Sequence, residues 1–218
     1  MRDKDGAAAS SSTPVTVSRR AAGLTGSWPA TATFGSRTLT ASLADRTHAD
    51  TARLSGRAIA FSAGGSSLVA DTALDGRAQA VLALPLASGT HTVEAALRGD
   101  RLYDDASAAG TLTILNSTAK LTGKVRGDTV KAEFSVHSDE RSVRGNVQLK
   151  LGADSLHLSE LSSFGAANGT MWIAGTTREG RELLLRIAHA GREPTHVSVW
   201  SERTSVADEP ANGELKLR

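Results

Sequence analysis

The sequence predicts an all-β chain, an N-terminal β-sandwich followed by a C-terminal antiparallel sandwich or barrel. Three observations carry this. Apolar and polar residues alternate with period two in most segments after Thr31, the spacing of a strand with one buried face. Turn residues recur between these segments every ~8–12 residues, the cadence of short strands in a sandwich. No segment carries the 3.6-residue apolar period of a helix.

Residues 1–28 read as a flexible tether. Its "GAAASSSTP" is rich in Ala and Ser and has no apolar period, and "VTVSRR" is at most an edge strand. From 29 to 115 the text changes to strands. In "ATATFGSRTLTASLAD", Leu39, Ala41 and Leu43 share one face and Thr38, Thr40 and Ser42 the other. In "SGRAIAFSAGG", Ile59 and Phe61 oppose Ala58, Ala60 and Ser62, and Gly64-Gly65 turns the chain. "SSLVADTALDGRAQAVLALP" reads as a strand, an Asp75-Gly76 hairpin turn and a second strand. "SGTHTVEAAL" and "AAGTLTIL" are two more. Residues 116–119 form a short linker. Over 120–218, "KLTGKV", "TVKAEFSV", "GNVQLKL", "SLHLSEL", "GTMWIAGTT", "RELLLRIAH", "THVSVWS" and "GELKLR" read as strands. Their short connections argue an antiparallel meander.

Composition narrows the function classes. The chain has 218 residues, enough for one large or two small domains, and its 39% hydrophobic content supports a packed core. Aromatics are only 4%, so Leu and β-branched side chains must do most of the packing. Net charge is +2, and the arginines are scattered with no basic run interleaved with aromatics. That argues against nucleic-acid binding, which needs a basic stripe. There is no cysteine, which excludes disulfides, zinc–thiolate sites and thiol catalysis. No apolar run approaches the roughly 20 residues of a spanning helix, so membrane insertion is not expected. Met1-Arg2-Asp3-Lys4-Asp5 is not followed by the apolar region of a secretion signal. An exported protein with this sequence is therefore expected to be a mature form or a piece of a longer chain.

Ordered motifs between Phe34 and Ala108 point further. Phe34 to Leu43 reads F-G-x-x-x-x-x-A-x-L, and Asp71 to Ala78 reads D-x-x-x-D-G-x-A. Leu84 to Ala95 reads L-P-x-x-S-G-x-x-x-V-x-A, and Gly99 to Ala108 reads G-D-x-x-Y-x-x-x-x-A. In this order they make residues 29–115 resemble a bacterial Ig-like repeat, a sandwich module found in tandem on surface and secreted proteins. His91 stands where that pattern usually has Tyr. A Tyr at the corner before strand F bonds back to the chain, and a ring nitrogen of His91 has the chemistry to donate a similar bond. Residues 120–218 resemble the post-COAP domain of bacterial exported proteins. That resemblance rests on F-S-V at Phe134 to Val136, G-N-V-Q-L at Gly145 to Leu149 and L-H-L-S at Leu156 to Ser159. A-N-G-T-M-W at Ala167 to Trp172, P-T-H-V-S-V-W-S at Pro194 to Ser201 and the closing G-E-L-K-L complete it. It implies architecture and export, and no chemistry.

Each motif with functional chemistry has a plainer reading. Arg98-Gly99-Asp100 and Arg126-Gly127-Asp128 are copies of the tripeptide that engages integrins. A three-residue motif recurs readily by chance, and both copies sit where a turn is needed. At the first, Gly99 supplies backbone freedom, Asp100 bonds the amides two residues on, and Tyr103 packs inward. The second is a hairpin tip. Asp100, Asp104 and Asp105 lack the regular spacing of a calcium loop and read as a solvated or turn-capping cluster. His48, His91, His137, His157, His189 and His196 are dispersed, with no G-x-S-x-G or H-E-x-x-H. Asn116-Ser117-Thr118 and Asn168-Gly169-Thr170 match glycosylation sequons and read as turns.

The remaining pair is Trp172 and Trp200. Met171 and Ile173 share a face, as do Val197 and Val199; if these face the core, both indoles point outward together with His196. Outward indoles either cover a second small core or an inter-domain contact, or form a ligand surface. The expected function is a non-enzymatic exported or cell-surface module that spaces, presents or binds. The rival is a carbohydrate-binding accessory module using Trp172, Trp200 and His196. Expected partners are other domains of the same or a neighbouring protein and, on the rival reading, a polysaccharide. No catalytic residue, metal or cofactor is expected, nor is nucleic acid.

Overall fold

The computed structural model describes residues 18–35, 38–48 and 53–218. Among the described residues there is no helix, so the fold is all-β. The first half is a sandwich of two sheets. The smaller is ordered β1 (Ala22–Gly26), β3 (Thr38–Asp45), β6 (Arg77–Val81). The larger is ordered β2 (Thr31–Thr33), β8 (Ala106–Leu115), β7 (Gly89–Leu97), β4 (Ala58–Ala63), β5 (Ser66–Asp71). All pairings are antiparallel except β2 with β8. The alternation seen in the sequence sorts the faces: Leu39, Ala41 and Leu43 of one sheet are buried with Ile59, Phe61, Val93 and Ala95 of the other.

Three local expectations change. Ala22–Gly26, assigned by sequence to the tether, is β1 and pairs with β3. Its signal is weak because Leu24 is its one large apolar residue, and Gly26 leaves the room that the Trp28 indole occupies. Residues 1–17 lie outside the described set. The segment "ATATFGSRTLTASLAD" is two strands in different sheets, because the chain turns at Phe34-Gly35, where Gly35 has a φ of 102°. Asp75-Gly76 makes a tight turn, but its flanking strands are not a hairpin: β5 is at the edge of the larger sheet and β6 pairs with β3. Gly76 N–H donates to Ala73 C=O and Gly76 C=O accepts from Leu43, so the turn is tied to the smaller sheet. Buried Thr72 bonds Leu54 C=O and Arg57 N–H just before it, and the chain changes sheets there.

The turn after β7 is an anchor. Asp100 accepts from the amides of Leu102 and Tyr103 and pairs with Arg57. Burial alone would raise its pKa; these partners outweigh it, and the carboxyl sits below its usual range. Asp105 accepts from Gly99 N–H. Gly99 is not in the left-handed region. A Cβ there would lie 2.9 Å from Asp105 Oδ1 and 3.0 Å from Tyr103 C=O, so close approach, rather than freedom in φ, demands glycine. Tyr103 is fully buried, its hydroxyl donating to Asp45 at 3.2 Å, and the Arg57 guanidinium lies 5.5 Å from its ring centre. Asp45 also accepts from Arg20 at 2.8 Å and from the amides of Thr47 and His48. Burial pushes the Asp45 pKa up, but Arg20 and then the two amides and Tyr103 pull it down to about 2.

The second half is one nine-stranded sheet curled into a near-closed barrel. It runs β9 (Ala119–Arg126), β10 (Val130–Ser138), β11 (Val143–Leu151), β12 (Asp154–Ala167), β13 (Thr170–Thr177), β14 (Glu182–Ala190), β15 (Glu193–Ser201), β16 (Thr204–Pro210), with β17 (Asn212–Leu217) returning to β9. Phe134, Val147, Leu149, Phe164, Ile173, Leu185, Val197 and Leu215 fill its interior. The sequence-expected strands all form, and β16 is additional. "TSVADEP" hides its strand character behind two acids and a proline, and Val206 is exposed. Closure uses Glu209 of β16, whose carboxylate accepts from the amides of Thr129 and Val130 and from the Thr129 hydroxyl. Gly127 of the second RGD copy packs against this side chain. Leu215 N–H donates to Arg192 C=O, and Lys120 and Arg218 exchange a reciprocal pair of backbone bonds at 2.9 and 3.0 Å.

Replacing Tyr103 by Ala should cost about 3–5 kcal/mol, whereas exposed Arg98→Ala should stay within about 0.5 kcal/mol, read by chemical denaturation. Asp45 predicts an acid limit. Its pKa falls from an ordinary 3.8 to about 2 on folding, so its stabilisation is complete above 3.8 and is lost as pH falls through about 2. Melting temperature should drop across that window, and Asp45→Asn should remove this component of the pH dependence.

Candidate functional site

The two halves meet at an edge created by strand lengths. β11 pairs with β12 only as far as Leu158, whereas β12 continues to Ala167 after two register shifts. Beyond the shifts, one edge of β12 has no β11 partner, and unpaired backbone groups there must be satisfied. The linker does this. Asn116 Oδ1 accepts from Phe164 N–H at 3.0 Å, Ser117 N–H donates to Phe164 C=O at 2.9 Å, and Ser117 Oγ accepts from Ala166 N–H at 2.9 Å. From the sandwich, Ser88 N–H donates to Ser163 Oγ and Ser88 Oγ donates to Ser162 C=O, each at 2.9 Å. Gly165 completes the fit, since a Cβ there would lie 1.9 Å from Phe34 C=O. The Asn116 of the first sequon is thus a buried clasp rather than a turn residue.

Met171, Ile173, Val197 and Val199 face the barrel interior, so both indoles point outward, as the alternation required. They stack, with ring centres 5.7 Å apart and 26° between planes. Trp172 does not offer a surface, however. It is 5% exposed and belongs to the core of the sandwich, where Gly35 leaves room for it, a Cβ there lying 2.8 Å from Trp172 Cδ1. Arg186, its neighbour on β14, lies 5.8 Å from the ring centre. A ligand surface made of both tryptophans is therefore corrected: one indole is consumed by the docking, and Trp200 alone stays partly open.

His196, four residues before Trp200 on β15, has its Nε2 2.8 Å from Asp208 Oδ1. The Ser198 hydroxyl donates to the same oxygen. Ser198 and then His196 hold the Asp208 pKa below its usual range. The serine proton is directed to the carboxylate and not to the imidazole, so this trio lacks the serine–base contact that activates a nucleophile. The other second-half histidines do not converge: His157 bonds Asn146 and His189 bonds Gly191 C=O. In the sandwich, His91 Nε2 bonds Ala87 C=O at 2.7 Å, four residues upstream. The carboxylates of Asp100 and Asp105 are taken up by turn amides, and Asn168-Gly169 forms the β12–β13 turn with φ of 50° and 68°.

Beside the clasp, the sandwich and barrel leave a cleft of about 380 Å³. Its walls are Phe34, Leu84 and Leu86 from the sandwich and Ala174, Leu184 and Trp200 from the barrel. Its rim carries Glu182, Glu202, Arg203 and His91. Glu202 and Arg203 form the tip of the β15–β16 turn with φ of 48° and 69°, the left-handed region that disfavours non-glycine residues. Arg203 reaches Ser66 Oγ at 2.8 Å. Sequence reading missed this rim, because nothing in "SERT" marks a strained turn, and missed Ser88 and Gly165 because their partners are remote in sequence. The chain matches no family model, no curated protein and no solved structure.

Trp172→Ala should cost about 3–5 kcal/mol and split one calorimetric transition into two, as the halves lose their shared core. Gly165→Ala should do the same through backbone collision. A single, unshifted transition in both variants would contradict a docked pair.

Proposed function

We propose that the chain is a non-enzymatic exported or cell-surface module, an Ig-like repeat carrying a post-COAP-like barrel, which acts by holding and presenting a surface. The observation that carries this reading is the docking of Trp172 into the sandwich core, which makes the two halves one body with a fixed mutual orientation. The strand order β1-β3-β6 against β2-β8-β7-β4-β5, with β3 and β4 in opposite sheets, supports the Ig-like resemblance. So does the bond from His91 to the backbone four residues upstream. The cysteine-free composition is compatible with folding in either redox environment. Partners on this reading are neighbouring domains.

Fused behind a secretion signal and displayed on a bacterial surface, the sandwich and barrel should resist protease as one block. Degradation on display of a chain that is protease-resistant in the cytoplasm would overturn the reading.

A further inference from the structure

We propose that the cleft between sandwich and barrel is a binding site for a neutral saccharide, with Trp200 as its stacking platform and Glu202 and Arg203 as its polar clamp. The inference rests on the reading of the chain as a module that presents a surface, and it names the ligand class and the site.

The cleft, at about 380 Å³, lies within the usual range of small-molecule sites. Its chemistry is divided. Trp200, Leu184, Ala174 and Leu86 make an apolar floor, and the charged groups are confined to the rim. A pyranose has the same division, with C–H groups on its faces and hydroxyls around its edge. An indole offers a flat apolar area at low entropy cost, which suits a ring face. Carboxylate and guanidinium groups side by side accept from and donate to neighbouring hydroxyls, and their charges largely offset one another. With Glu182 also on the rim, the two carboxylates outnumber the Arg203 guanidinium, which disfavours an anion and leaves both acceptors and donors for the hydroxyls of a neutral ligand. His91 stands on the same rim, its Nε2 donating to Ala87 C=O.

The turn geometry adds an independent argument. Both residues at the β15–β16 tip are non-glycine and both have positive φ. A turn selected for stability alone would carry Asn-Gly there. Strained backbone persists where the side chains it carries are needed, and here those side chains are the two rim charges. Arg203 is also held to the sandwich through Ser66, so the clamp spans both halves.

The test titrates the intact chain with cellotetraose, chitotetraose and maltotetraose to about 10 mM, reading tryptophan emission and heat. At least one sugar should bind saturably and shift the emission. Trp200→Ala should abolish the emission change. Glu202→Gln, which leaves the packing untouched, should weaken binding by at least about tenfold. The double change Glu202→Asn with Arg203→Gly should hold or raise the melting temperature while losing the sugar. Failure of all three sugars to bind, or affinity unchanged in Glu202→Gln and in the double variant, would overturn the site and leave the presenting module standing. Tighter binding of spermidine than of any sugar, competing at Trp200, would also overturn it. Hydrolysis of a bound sugar would instead overturn the non-enzymatic reading and leave the saccharide site in place.

Discussion

A strand that outruns its neighbour exposes a row of backbone donors and acceptors, and the architecture here depends on how one such row is closed. β12 extends to Ala167 while β11 leaves it at Leu158. The open edge is filled by Asn116 and Ser117 of the linker and capped by Ser88 of the sandwich. Because an unsatisfied buried amide costs about 1–3 kcal/mol, these residues are not free to drift, and the linker becomes part of the barrel wall. With the edge closed by the sandwich, the outer face of β13 is brought against it, and Trp172 finds its place in the sandwich core. The cleft is the space left over beside this contact.

The scarcity of aromatics shapes the molecule. Cores built from Ala, Val and Leu pack sheets closely but offer few large anchors. Three of the large rings occur where separate elements must be joined, while Phe61, Phe134 and Phe164 fill the two interiors. Tyr103 ties Asp45 and Arg57 to the turn after β7, Trp28 lies over Gly110 of β8, and Trp172 joins the halves. Each has a compensating small residue or charged partner. That pairing explains why Gly35, Gly99 and Gly110 sit where a side chain would collide with a ring or a turn.

Much of the fold was legible because strand alternation is local. The facing of Leu39, Ala41 and Leu43, and of Met171 and Ile173 against Trp172, followed from period two alone. What was not legible depended on contacts remote in sequence. Ala22–Gly26 is a strand because β3 offers it an edge, and its own residues barely mark it. Asp75-Gly76 signalled a turn correctly, but which sheet receives the next strand is decided by Thr72 and Leu43, not by the turn. The outward direction of both tryptophans was readable, whereas the burial of one of them was not, since alternation assigns a face and says nothing of what covers it. The cleft rim was silent for the same reason: Glu202 and Arg203 matter only beside Ser66 and His91.

The reciprocal bonds between Lys120 and Arg218 place the first and last strands of the barrel side by side at the same end. Tension applied through those two points would peel β17 from β9 one bonded pair at a time. It would not shear the whole ladder at once. A sheet loaded in that direction yields at low force, so the barrel is poorly suited to bear load in line. Under such a load the linker clasp and the docked Trp172 would hold the barrel against the sandwich.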